Sequence, residues 1–151
     1  MLRAFVAAWI VASSCGASLA NDLIEVKSSR SVKETVDRLE QLVKDAGFVV
    51  VARVPHSAAA SAAGLTLRPT ELLIFGRAQG GTPIMVCDQR AGIDLPLRAL
   101  AWQDEQGQVW LATNDPKKAL KQRYALPGAC DPAIEMMDGG IRKFLAGATA
   151  P

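Results

Sequence analysis

Residues 31–47, SVKETVDRLEQLVKDAG, carry the strongest folding instruction in the chain. Ser31 and Glu34 have the S-x-x-E spacing of a capping box, in which each side chain accepts from a backbone N–H that the first turn leaves unpaired. Val32, Val36, Leu39, Val43 and Ala46 recur at alternating spacings of four and three, which gathers them into one stripe, while charged residues fill the other side. Gly47 follows as the left-handed stop. A helix with one apolar face needs a surface to lie on. The next seven residues, FVVVARV (48–54), offer it: they are β-branched and nearly all apolar, as expected of a central strand covered on at least one face.

The remaining elements follow from period and punctuation. DLIEVKS (22–28) alternates as a short strand. After Pro55, the small-residue stretch HSAAASAAGL (56–65) predicts a short helix over Ala58–Ala63, with Ser57 as cap and Gly64 as stop. TELLIFG (70–76) is a third strand, RAQGG (77–81) a loop, and Thr82-Pro83 the start of a helix to about Asp88. AGIDLP (91–96) is a turn. LRALAWQDEQGQVWLAT (97–113) predicts a hairpin through Asp104–Gly107, with Trp102 and Trp110 on its arms. Asp115-Pro116 opens a helix to about Tyr124, and Asp131-Pro132 opens a last one ending near Leu145, softened by Gly139-Gly140. The order β-α-β-α-β-α-β-β-α-α, with short connections, predicts an α+β two-layer sandwich: a mostly antiparallel sheet with helices packed against it.

The first twenty of the 151 residues differ from the rest. Arg3 precedes nine apolar residues, Ala4–Ala12, and a small polar stretch ends in Ser18-Leu19-Ala20. This is the layout of a secretory signal peptide cleaved after Ala20, leaving one domain over 21–151; lipidation at Cys15 within VASSC is the poorer alternative. The apolar run is short of the roughly 20 residues that span a bilayer, so no membrane span is expected. Losing Met1–Ala20 would leave 16 basic residues against 15 acidic ones, interspersed, which supplies no electrostatic reason for a nucleic-acid partner. It would also leave two cysteines, Cys87 and Cys130, which an oxidising compartment could join. Two small, separately buried thiols are the plainer alternative.

Candidate chemistry is sparse. His56, the only histidine, follows a strand end, where it suits a general base or a metal ligand; haem or copper would need a methionine or a dimer-related His56 as second ligand. Its plainer role is to fix the turn. Arg68 and Glu71 flank the start of the third strand: an anion anchor beside a general acid or base, or else a clamp in which Arg68 pairs with Glu71 or Asp94. Thr82 opens a helix whose free N–H groups suit an anion, without the lysine of a P-loop. No G-x-S-x-G elbow supports a hydrolase.

Taken together, GF-V-AR-V-P-H, LRPTELLIFG, GTP and GIDLPL resemble the family called domain of unknown function 302, over about Ser31–Tyr124. The helical tail 127–151 lies outside that resemblance. It implies a compact α+β fold, typically dimeric, with no established reaction. The family's pattern falls on His56, Arg68, Pro69, Thr70, Glu71, Gly76, Thr82, Pro83, Asp94, Leu95 and Pro96, whereas Val86-Cys87-Asp88-Gln89 departs from it. The expectation is an exported, periplasmic homodimer that binds a small molecule or protein partner where His56, Arg68, Glu71 and Asp94 meet at one end of the sheet, with Thr82 nearby. A haem or copper protein using His56, and an acid/base enzyme using Glu71 and His56, are its alternatives.

Overall fold

The computed structural model describes residues 22–151; the signal-peptide expectation and Cys15 lie outside them. Five strands, β1 (Leu23–Ser28), β2 (Val49–Val54), β3 (Thr70–Gly76), β4 (Leu97–Gln103) and β5 (Val109–Asn114), form one sheet in the order β1-β5-β4-β3-β2. Every neighbouring pair is antiparallel. Helices α1 (Val32–Asp45), α2 (His56–Ala62), α3 (Ala78–Cys87) and α4 (Asp131–Thr149) complete the α+β architecture. Among the described residues no helix is long and apolar enough to cross a membrane.

The stripe on α1 does what its spacing predicts. Val36, Leu39 and Val43 are fully buried against Leu73, Phe75 and Leu111 of the sheet, beside Ile141, Leu145 and Ala148 of α4. Both arms of the capping box form: the Ser31 hydroxyl accepts from Glu34 N–H at 3.2 Å, and Glu34 accepts from Ser31 N–H at 3.0 Å. α1 and α4 lie so close that a Cβ on Gly147 would stand 3.0 Å from Leu42. The opposite sheet face turns half-buried Leu72, Leu100 and Trp102 toward a trough.

Five elements differ from their sequence expectations. α2 starts at His56 after Pro55, so Ser57 does not cap it, and the helix expected from Asp115 is a π-helical segment, Lys117–Gln122. β2 is an edge strand: Val49 and Val51 are 66 % and 59 % exposed, because only one side of the strand meets the helices and a register shift lies between Val50 and Ala52. The stretch expected as a loop before Thr82 is helical, so Pro83 sits inside α3. Glycine and proline are poor helix formers, but α3 is held by its far half, where Ile84 is fully buried and Cys87 is bonded to Cys130. α4 runs four residues beyond Leu145, to Thr149, because its last turns are core rather than tail.

A second cluster forms where α3, a 3-10 turn (Gln89–Ile93), a π-helical segment (Lys117–Gln122) and α4 meet. The disulfide crosses this cluster, tying the end of α3 to the turn that begins α4. Gly76 ends β3 under the cis-peptide residue Pro96, whose Cβ would lie 3.0 Å from any Cβ placed there. That contact explains a glycine at this position.

Candidate functional site

Glu71 lies on the helix-covered side of β3, and Arg53 on β2 takes its carboxylate. The same guanidinium reaches Asp37 at 2.7 Å and Glu40 at 3.1 Å on α1. The hydrogen bond from Arg53 to Glu71 is the main reason that the guanidinium holds its proton even more firmly than usual. Asp37 is pulled below the ordinary carboxylate range, chiefly by Lys33 and next by Arg53; Glu40 is lowered chiefly by Lys44, again with Arg53. Every charge in this network has a partner. It clamps α1 to the edge of the sheet.

Asp94 is equally committed. Its carboxylate accepts from Arg123 at 2.9 Å and from the Tyr124 hydroxyl at 2.7 Å, with Arg98 at 3.6 Å. The bond to Asp94 raises the pKa of the Tyr124 phenol. This knot ties the turn before β4 to the π-helical segment. Arg68 donates to the Gln103 carbonyl at 3.2 Å and stands 3.8 Å from Glu105, so it pairs with neither Glu71 nor Asp94.

The four expected residues therefore divide. Arg68 and Asp94 border one trough of about 690 Å³ on the open sheet face, along with Thr70 and Trp102. Glu71 is taken up on the other face. His56 starts α2, exposed, and makes no hydrogen bond or ion pair with a described residue. Among the described residues no group of three or more His, Cys, Asp or Glu side chains is placed to hold a metal ion. Neighbouring Ser57 accepts the Thr70 N–H at 3.4 Å, which pins α2 to the start of β3.

Thr82 lines a different space. A cleft of about 500 Å³ opens between the β2 edge, α3 and α4. That size suits a medium-sized organic ligand. Its walls include Val49, Val51, Met85, Met137, Ile141 and Phe144. Phe48 lies in it too, packed edge-to-face on Phe75 and Phe144 at 5.9 and 5.3 Å between centroids. Gly80 and Gly81 on α3 and Gly140 on α4 border it, so the facing helix surfaces carry no side chain there. At its rim Arg77 lies 4.7 Å from the centroid of the Phe48 ring. Among the described residues Arg77 has no carboxylate partner.

Sequence reasoning missed this cleft. Two signals pointed toward it: the outward residues of an edge strand are apolar, and both helices that form its walls carry a Gly-Gly doublet. Each also has a local meaning, a central strand in one case and a loop or soft spot in the other.

Residues 24–144 match the family described as Domain of unknown function DUF302. The chain belongs to the DUF302 family. The match takes in the first part of α4, beyond the region where the sequence motifs suggested it. The DUF302 fold is also seen in the crystal structure of an uncharacterized conserved DUF302 protein from Bacillus stearothermophilus, with a TM-score of 0.75 and 19 % identity over 87 % of this chain and all of that one. Two longer relatives are named Fluoride-specific ion channel FluC 1, from Brucella suis biovar 1 (strain 1330) and Brucella abortus biovar 1 (strain 9-941). Each is 47 % identical over 128 residues, covering 83 % of this chain and 50 % or 47 % of the relative. This DUF302 chain thus spans about half the length of the curated relatives it matches.

Proposed function

We propose that this DUF302 chain is an exported binding module that works as a homodimer and holds a small molecule with an apolar body in the cleft between β2, α3 and α4. The observation that carries this reading is the cleft: about 500 Å³ walled almost entirely by apolar side chains. Concave apolar space with a few polar groups at its rim is the usual form of a small-molecule site. Export is supported by the signal-like first twenty residues and by the Cys87–Cys130 bond, which an oxidising compartment maintains. Dimerisation is supported by the apolar residues of the open sheet face, Leu72, Leu100 and Trp102.

The test uses the two α4 glycines. A Cβ on either would meet nothing within 4 Å, but Gly140 borders the cleft and Gly139 does not. Gly140→Leu should abolish binding of the neutral fluorescent probe N-phenyl-1-naphthylamine, while Gly139→Leu should leave it intact. Both should keep or raise the melting temperature, since leucine is the better helix former by up to about 1 kcal/mol. Equal probe binding by both variants removes the cleft from the reading. Sedimentation of the wild type and of Trp102→Arg tests the dimer separately.

The alternatives draw less support. Among the described residues no group of three or more His, Cys, Asp or Glu side chains is placed to hold a metal ion, and Glu71, the candidate acid/base group, is bound to Arg53. A second reading rests on the relatives: proteins named fluoride channels share this domain at 47 % identity, so the chain would serve beside a channel of that kind. Deleting it should then sensitise cells to fluoride, and unchanged sensitivity discards the idea.

A further inference from the structure

Resting on the cleft reading above, we infer that the ligand is an amphipathic monoanion: a medium-chain carboxylate with its apolar body in the cleft and its head on Arg77. Charge complementarity is the argument. Among the described residues Arg77 is the one charged residue that lines the cleft, and no aspartate or glutamate borders it. A neutral apolar ligand would not need it, and a cationic one would be repelled.

Several other arginines are committed to carboxylates, and Arg38, which among the described residues is not, stands on α1 away from the cleft. Arg53, Arg90 and Arg123 each hold a carboxylate of the protein at close range. Arg77 rests over the Phe48 ring, and its N–H groups have no acceptor among the described residues. A guanidinium presents paired donors that match the two oxygens of a carboxylate. Resting on an aromatic ring restricts where it can point without using those donors. Arg77 also precedes the first turn of α3, which has no capping side chain and no acid, so the local helix dipole adds positive potential at the same rim. Below that rim Phe48, Val51, Met85, Met137, Ile141 and Phe144 offer an apolar surface. The thioethers are soft enough to follow the bends of an alkyl chain. A single cation matched to a single anion favours a carboxylate over a doubly charged phosphate ester.

The experiment displaces N-phenyl-1-naphthylamine from the purified protein with dodecanoate, dodecan-1-ol or acetate. Dodecanoate should displace the probe about tenfold or more below the concentration that dodecan-1-ol needs, the order expected of a charge-assisted hydrogen bond. Acetate, with a head but no body, should not displace it. Arg77→Gln should bring the acid down to the level of the alcohol and leave the alcohol unchanged. Arg38→Gln, which removes an exposed arginine of α1 away from the cleft, should keep the preference. Equal displacement by acid and alcohol in the wild type, or a preference that survives Arg77→Gln, overturns the carboxylate inference and leaves the cleft reading standing. Loss of probe binding in the wild type, or full binding in Gly140→Leu, overturns both.

Discussion

Arg53 and Arg77 stand at opposite ends of the β2–β3 region, one within the strand pair and the other just beyond it, and their surroundings could hardly differ more. Arg53 is three-quarters covered and touches three carboxylates, Asp37, Glu40 and Glu71. Arg77 is exposed, touches an aromatic ring and borders an apolar cleft. A partly buried charge whose partners are all supplied by the protein is part of the scaffold, since removing it leaves other charges uncompensated. A charge with no protein partner, beside empty apolar space, is available to something that arrives from outside. Residue type alone does not distinguish them. Their neighbours do.

Four measurements bear on that contrast. The largest effect is expected from Cys87→Ser with Cys130→Ser, because the bond staples α3 to the start of α4, the two helices between which the cleft opens. Chemical denaturation should show a loss of about 2–4 kcal/mol, and probe binding should weaken with it. Intact binding in the reduced form would mean that the second cluster alone holds the cleft walls in place. Next, Arg53→Met should cost about 2 kcal/mol, below the full penalty for a buried pair because the site is partly solvated. It should leave cleft binding unaltered; a loss of binding would show that the scaffold and the cleft are coupled.

The third effect is in the pH dependence. Asp37 and Glu40 titrate below their ordinary values of 3.8 and 4.5 in the folded protein. Their contribution is therefore complete above those values and is lost as pH falls through the lowered ones. Stability should decline in acid below about pH 4.5, and Arg53→Met should flatten the decline without removing it, since Lys33 and Lys44 are the larger causes. Equal acid slopes in both proteins would assign the whole effect to the lysines. The smallest effect belongs to Arg77→Gln, which should stay within about 0.5 kcal/mol of the wild type in stability, as exposed substitutions generally do. A larger loss would make Arg77 a structural residue and close the contrast.

How much was legible beforehand varies with the range of the interaction. α1 could be read because capping and a 3.6-residue stripe act within one helix. The β4–β5 hairpin could be read because its two strands are neighbours in sequence, and Trp102 and Trp110 do stack across it at 6.4 Å. β2 is not legible because strand apolarity suggests burial without saying what does the burying, and its exposed Val49 and Val51 line a cleft. α3 was hidden by Gly80, Gly81 and Pro83, whose local preferences are overridden by Ile84 in the second cluster and by the disulfide.

His56, Arg68, Glu71 and Asp94 do not meet at one place, as the sequence reading expected them to. Arg68, Glu71 and Asp94 are polar residues close to strand ends, which drew them together on paper. Alternation along β3 sends Thr70 and Glu71 to opposite faces, so Glu71 meets Arg53 on the helix-covered side while Arg68 and Asp94 border the trough. Pairing partners come from distant segments: Arg53 for Glu71, Arg123 and Tyr124 for Asp94. No spacing rule reaches that far.

By itself, then, the sequence determined the class of fold, the amphipathic helix that covers the sheet, the family motifs and the two cysteines available for a bond. Only the tertiary structure decided which charges are satisfied and which are free, because that depends on contacts between segments far apart in the chain. It also decided where space is left over. A cleft is the space that three elements leave between them, here two glycine-bearing helices and one strand edge, and no single one of them records it.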